Sequence, residues 1–131
     1  MAGFSDYLED KVLDHVFGGT AYTAPGTLYV GLYTAAPSDS GGGTEVSGGS
    51  YARKSMPAMT VSGTSPTEAT NGAAVEFVTA TGSWGTVTHV GVFDAVTTGN
   101  LLGWAALTAS KTVSSGDVFR FDAGDLDITL A

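Results

Sequence analysis

Residues 84–94, Trp84-Gly85-Thr86-Val87-Thr88-His89-Val90-Gly91-Val92-Phe93-Asp94, form the longest strand-like run of β-branched and aromatic residues in the chain. Taken at period two, Trp84, Thr86, Thr88, Val90 and Val92 share one face, and Val87, His89, Gly91 and Phe93 share the other. Both faces are substantially apolar, so a strand here is expected to be covered on both sides. Turn-forming Thr97, Thr98, Gly99 and Asn100 follow, and residues 101–107 have the length and punctuation of a returning strand. A central hairpin is therefore predicted, with everything else packing around it.

One helix is predicted, over about 5–17. Ser5 is a good N-cap, Asp6, Glu9 and Asp10 sit where the helix dipole favours acids, and Gly18-Gly19 supply a stop. Leu8, Val12 and Val16 recur at i, i+4 and i+8, and Leu13 and Phe17 widen the stripe. A helix this short is marginal alone, so its stripe is expected to dock either on the chain's own sheet or on a neighbouring subunit.

Residues 27–34 read as a second strand, with Leu28, Val30 and Leu32 opposite Tyr29, Gly31 and Tyr33. From about 37 to 50 the composition turns to Ser, Asp, Gly and Thr, with Gly41-Gly42-Gly43 and Gly48-Gly49. A long loop is expected there, either a mobile excursion or an arm that orders on assembly. Further strands are expected at 56–61, broken by Pro57, and at 73–78, 112–113, 118–121 and 126–130, with a turn at 64–67. The prediction is one domain over 1–131, mainly β. It is an antiparallel β-sandwich or open barrel of about seven or eight strands, with one N-terminal α-helix, a β core over about 51–131 and the added strand 27–34.

Composition narrows the function. Only 14% of residues are charged while 19 are glycine, so the surface is built largely from Ser, Thr, Gly and Ala. A weakly charged exterior of this kind suits a protein packed against neighbours. Thirteen acids stand against Lys11, Arg53, Lys54, Lys111 and Arg120, giving a net charge of −8. With no clustered basic patch, direct nucleic-acid binding and binding to anionic membranes are not expected. Cysteine is absent, which removes thiolate chemistry and Cys-ligated metals. No basic leader with an apolar core and no apolar run of about 20 residues is present, so folding in a cytoplasm is expected.

No catalytic, metal-binding or cofactor-binding set emerges. His15 falls near the last helical turn, where the dipole favours an imidazolium. His89 lies five residues before Asp94, but no Gly-x-Ser-x-Gly elbow accompanies the pair. Asp122, Asp125 and Asp127 do not match a calcium-loop register, and Gly41-Gly42-Gly43 lacks the Lys-Ser/Thr of a phosphate cradle.

Several ordered fragments nevertheless carry a resemblance. Residues 4–18, 28–37, 44–53, 84–94 and 98–102 are similar, in that order, to a family of small virion proteins of tailed bacteriophages, often labelled phage tail fibre proteins. The resemblance implies a non-enzymatic structural component of the virion, assembled in the bacterial host cytoplasm. Within that class the expectation is a capsid decoration, or cement, protein: a homotrimer that binds the major capsid protein on the head shell. The alternative is a tail-tip or tail-fibre-associated subunit contacting tail proteins. A third reading is a carbohydrate- or receptor-binding module, with Tyr29, Tyr33, Tyr51, Trp84 and Trp104 as stacking faces.

For an assembly protein the expected site is an interface. Gly41, Gly42, Gly43 and Glu45 in the loop, with Tyr51 and Arg53 after it, are the candidates, because Arg pairs bidentately with carboxylates and Tyr is favoured at interfaces. A salt bridge at the loop exit, inside one subunit, is the competing reading for Arg53.

Overall fold

The computed structural model describes residues 4–64 and 66–130. Ser65 of the turn expected at 64–67, residues 1–3 and 131, and the side chain of Leu130 in the final strand lie outside the described residues.

The fold is mainly β, with one N-terminal helix and ten strands among the described residues, all antiparallel and without a closed barrel. The helix α1 (Asp6–Leu13) continues as a π-helical turn over Asp14–Gly18. Ser5 caps it as predicted, accepting from the Leu8 amide. Gly19, at φ 79°, ends it in the left-handed conformation that favours glycine.

The central sheet is built on β1 (Leu28–Ala35), β7 (Gly85–Phe93) and β8 (Leu101–Val113). β1 pairs with β7 from Tyr29↔Phe93 to Tyr33↔His89, and β7 pairs with β8 as the predicted hairpin. On its other edge β1 carries two short partners, β3 (Lys54–Met56) against Leu28–Val30 and β2 (Thr44–Glu45) against Tyr33 and Ala35. Two smaller sheets complete the fold. One joins β4 (Thr60–Ser62), β5 (Thr67–Thr70) and β10 (Asp127–Leu130); the other joins β6 (Val75–Glu76) and β9 (Arg120–Phe121).

The face assignment for 84–94 needs correcting at one point. Between the pairs Val87↔Lys111 and His89↔Ala106 lies Thr88 alone on β7 but four residues, 107–110, on β8. This bulge reverses the alternation, so Val87 points inward with Val90 and Val92 while Thr86 is exposed; Trp84, before the strand and across the positive-φ Gly85, is buried as well. The returning strand is also longer than predicted, because β8 runs past the bulge and absorbs the separate strand expected at 112–113. Pro57 splits 56–61 as anticipated, and the two halves go to different sheets.

The core lies between the inner face of the central sheet (Val30, Leu32, Val87, Val90, Val92) and side chains from the small sheets (Val75, Phe121) and beside them (Phe77, Phe119, Leu126). Aromatic rings tie the layers together. Tyr51 meets Trp84 edge-on at 5.3 Å, Phe77 meets Phe119 at 5.9 Å, and Phe119 meets Phe121 at 5.1 Å. Each such pair adds about 0.5–1.5 kcal/mol beyond the area it buries.

Candidate functional site

The edge of β1 determines the local geometry. β3 stops at Val30 and β2 begins opposite Tyr33, so the ladder has a gap at Gly31-Leu32. Leu32 keeps its outer hydrogen bonds by other means: its amide donates to the Tyr51 hydroxyl at 3.0 Å and its carbonyl accepts from the Val46 amide at 2.9 Å. A phenol oxygen thus stands in for a strand carbonyl.

Tyr51 donates in turn to Glu45 Oε2 at 2.7 Å. Arg53 closes on the same carboxylate with both edges of its fork, Nε to Oε2 at 2.9 Å and Nη2 to Oε1 at 2.8 Å. Its Nη1 donates to the carbonyls of Ala95 and Thr98 at 2.9 and 2.7 Å, and the guanidinium lies 3.5 Å from the centre of the Phe93 ring. Three of the candidate residues, Glu45, Tyr51 and Arg53, are therefore brought together in one cluster within the subunit. The carboxylate that Arg53 finds is its own chain's, in the loop-exit salt bridge.

Burial and charge act together here. Burial, then the bond to Glu45, pushes the Tyr51 pKa far above that of a free phenol. Burial opposes the charge of Arg53, but the bonds to Glu45 and its field outweigh it, and the Arg53 pKa is raised.

The loop over 37–50 is ordered along much of its length, which corrects the picture of a structureless excursion. Ser38 and Gly41 close a tight turn, β2 adds to the sheet, and Val46 is buried. Gly43, at φ 74°, sits so close to the Ala35 carbonyl and Pro37 that a Cβ there would lie 2.7–2.9 Å from backbone. Gly49 is held by Trp84, whose indole donates to its carbonyl at 2.9 Å. Gly41 and Gly42, by contrast, face open space.

These pieces converge at the hairpin end of the molecule. Asp94 ties off the 94–100 turn, accepting from the Asn100 amide and side chain at 2.7 and 2.9 Å. Asp39 accepts from Trp104 Nε1 at 2.9 Å, and its carbonyl accepts from the Asp6 amide at 2.8 Å. Ser5 joins β8 through its hydroxyl, which donates to the Leu101 carbonyl, and through its amide, which donates to Leu102. The result is an open cleft of about 530 Å³ between the helix start, the 38–42 turn and the 98–101 turn, with Arg53 and Tyr33 in its wall.

The residues weighed for chemistry have ordinary partners. His15 Nδ1 accepts from the Tyr22 amide at 3.0 Å, and His89 Nδ1 lies 2.8 Å from the Thr88 hydroxyl. Asp94 is committed to Asn100, and Asp122 pairs with Arg120 at 2.7 Å. Among the described residues, no group of three His, Asp or Glu side chains is placed to hold a metal ion, and no helix is long and apolar enough to cross a membrane. Of the two tryptophans, Trp84 is buried, whereas Trp104 is half-buried at the surface. Sequence reasoning missed Asn71, a buried amide that makes four side-chain hydrogen bonds. Nothing in its local sequence announces it, because its partners lie as far along the chain as Asp122, Gly124 and Leu126.

Comparison with known proteins gives one result that spans the fold. A family model described as "Podophage GP4 fiber I protein gp80" matches residues 3–129. No curated protein matches the chain. The match covers nearly the whole sequence, and the chain belongs to this phage fibre protein family.

Proposed function

We propose, from the premise of membership in this podophage fibre family, that the chain is a non-enzymatic structural subunit of the virion, assembled in the host cytoplasm and built into the tail-fibre apparatus. The observation that carries this reading is the family match across residues 3–129. The construction of the subunit supports it. Arg53, Glu45 and Tyr51 brace the glycine-containing loop and the 94–100 turn against the sheet, so the open Gly41-Gly42 tip is presented on a stiff base. Stiff surfaces lose less conformational entropy when they join an assembly. The subunit associates as a homotrimer, with this tip among its contacts to copies of itself or to tail proteins.

Capsid decoration is the second reading. The observation favouring it is a single non-repeating β unit with a weakly charged surface, which suits many identical contacts on a head shell formed by the major capsid protein. Immunogold labelling of intact particles separates the two. Gold at the tail is the expected result, gold spread over the head would replace the fibre reading with decoration, and unlabelled particles that also lack the protein by mass spectrometry would overturn both.

A further inference from the structure

The predicted apolar stripe of the helix divides in the structure. Its first half docks at home: Tyr7 and Leu8 pack against the core, and Lys11 and Val12 are half-buried. From Leu13 onward the stripe has no cover. Leu13 is 59% exposed, Val16 61% and Phe17 83%. Leu13 closes the α-helix and Val16 and Phe17 lie in the π-helical turn after it, so the three exposed side chains cluster at the C-terminal end of the helical segment, on the side turned away from the sheet. That face also carries exposed Asp6, Glu9 and Asp10, one to two turns nearer the N-terminus. The outward face therefore reads as an acidic half followed by an apolar half.

We propose that this face, resting on the virion reading above, docks into a groove on a different virion protein, and that the groove has an apolar floor for Leu13, Val16 and Phe17 and basic side chains opposite Asp6, Glu9 and Asp10. Helix-in-groove recognition uses apolar anchors of this kind, and the acids select the rim by charge complementarity.

Charge argues against a second copy as the occupant: on a chain of net charge −8, Arg53 and Arg120 are already paired with carboxylates of their own subunit and Lys11 sits on this same helix, which leaves only Lys54 and Lys111 to answer the three acids.

The test uses phage particles whose only source of this protein is a plasmid gene. Leu13→Ser/Phe17→Ser is expected to melt like wild type as a purified protein, because both side chains are exposed, and Glu9→Lys/Asp10→Lys to stay folded but melt slightly lower, because it removes acids from the positive half of the helix dipole. Each is expected to lower the copies per particle about tenfold or more. A photo-crosslinking phenylalanine analogue at position 17 in intact particles is expected to capture another virion protein, at a peptide with Lys or Arg beside apolar residues. Cross-links to a second copy of this chain, or wild-type copy numbers for both variants, would overturn the proposal. Should a variant fail to fold, the cross-link decides alone. Wild-type protein missing from purified particles would sink the virion reading and this inference with it, whereas wild-type protein present with unaffected variants would sink only the helix docking.

Discussion

Arg53 and Glu45 meet side-on through two parallel hydrogen bonds of 2.9 and 2.8 Å, with the Arg53 side chain only 8% exposed and that of Glu45 25%. The pair does more than neutralise charge. Through Nη1 the same guanidinium holds the carbonyls of Ala95 and Thr98, so one side chain fastens the loop exit to the tip of the central hairpin. Removing it leaves the two carbonyls without this donor and the Glu45 carboxylate with only the Tyr51 hydroxyl. Arg53→Ala is expected to cost about 2–4 kcal/mol, below the range for fully buried pairs because Glu45 is partly solvated. Arg53→Lys keeps the charge but not the fork, and should recover less than half of the loss. Urea denaturation of the two variants checks both statements; a loss within ~0.5 kcal/mol of zero for Arg53→Ala would mean the clamp is ornamental.

Tyr51 makes stability depend on alkaline pH. Its pKa is raised in the fold by burial and by the bond to Glu45, so the folded state holds the proton while the unfolded chain releases it above about pH 10. Proton binding is then greater in the folded state, and stability falls as pH rises through that region. Tyr33 adds to the same trend, since burial and then the field of Glu45 raise its pKa as well. Below about pH 10 this contribution is fully present. Tyr51→Phe should cost about 1–3 kcal/mol at neutral pH, because the Leu32 amide loses its acceptor. The same variant should flatten the decline in stability above pH 10. Thermal melts between pH 8 and 11, with tyrosinate absorbance followed in parallel, measure both effects.

Asn71 holds the C-terminal turn to the body of the protein. Its amide nitrogen donates to Ala73 and Asp122 carbonyls at 3.0 and 2.9 Å, and its oxygen accepts from Gly124 and Leu126 amides at 3.1 and 2.8 Å. Both ends of the side chain are saturated at a residue only 1% exposed. Asn71→Asp replaces a donor with a carboxylate oxygen that faces two carbonyls, and should destabilise by about 2–4 kcal/mol. Hydrogen exchange should show the loss first in β10. Unchanged protection there would mean that the β5 pairing, rather than Asn71, holds the strand.

The parts of this fold legible in the sequence are those whose information is local. The helix start at Ser5, the strand at 28–35 and the 97–100 turn each declare themselves through a cap, an alternation or a positive-φ pair, here Thr98 and Gly99. β5 was hidden because Glu68 and Ala69 have weak strand propensity, and it forms only by pairing with both β4 and β10. The bulge opposite Thr88 was hidden for a related reason: period-two reading assumes an unbroken register, and only the partner strand reveals three extra residues. Glu45, Tyr51 and Arg53 could be chosen by residue type and by their place at the loop exit. Their convergence on one another could not, because it depends on the gap that β2 and β3 leave along β1.

That gap also explains why residue 31 is glycine. Gly31 and Gly91 are directly opposed in the β1–β7 ladder, and neither has the positive φ that would favour glycine on backbone grounds. The requirement is space. A Cβ on Gly31 would lie 2.8 Å from the Phe93 ring, 2.9 Å from Glu45 Oε2 and 3.2 Å from the Tyr51 hydroxyl, all parts of the Arg53 clamp. Gly31→Ala is thus expected to cost about 1–3 kcal/mol by overpacking. Gly42→Ala provides the contrast: φ is +78° but nothing lies within 4 Å, so it should cost only the backbone strain of about 1–2 kcal/mol and leave the clamp intact. Combination with Arg53→Ala distinguishes the two. If the Gly31 methyl acts by displacing Glu45 and Phe93, its cost should shrink once Arg53 is gone, whereas the cost of Gly42→Ala should add in full. Strict additivity for Gly31→Ala in that double-mutant cycle would show that the glycine serves the sheet alone.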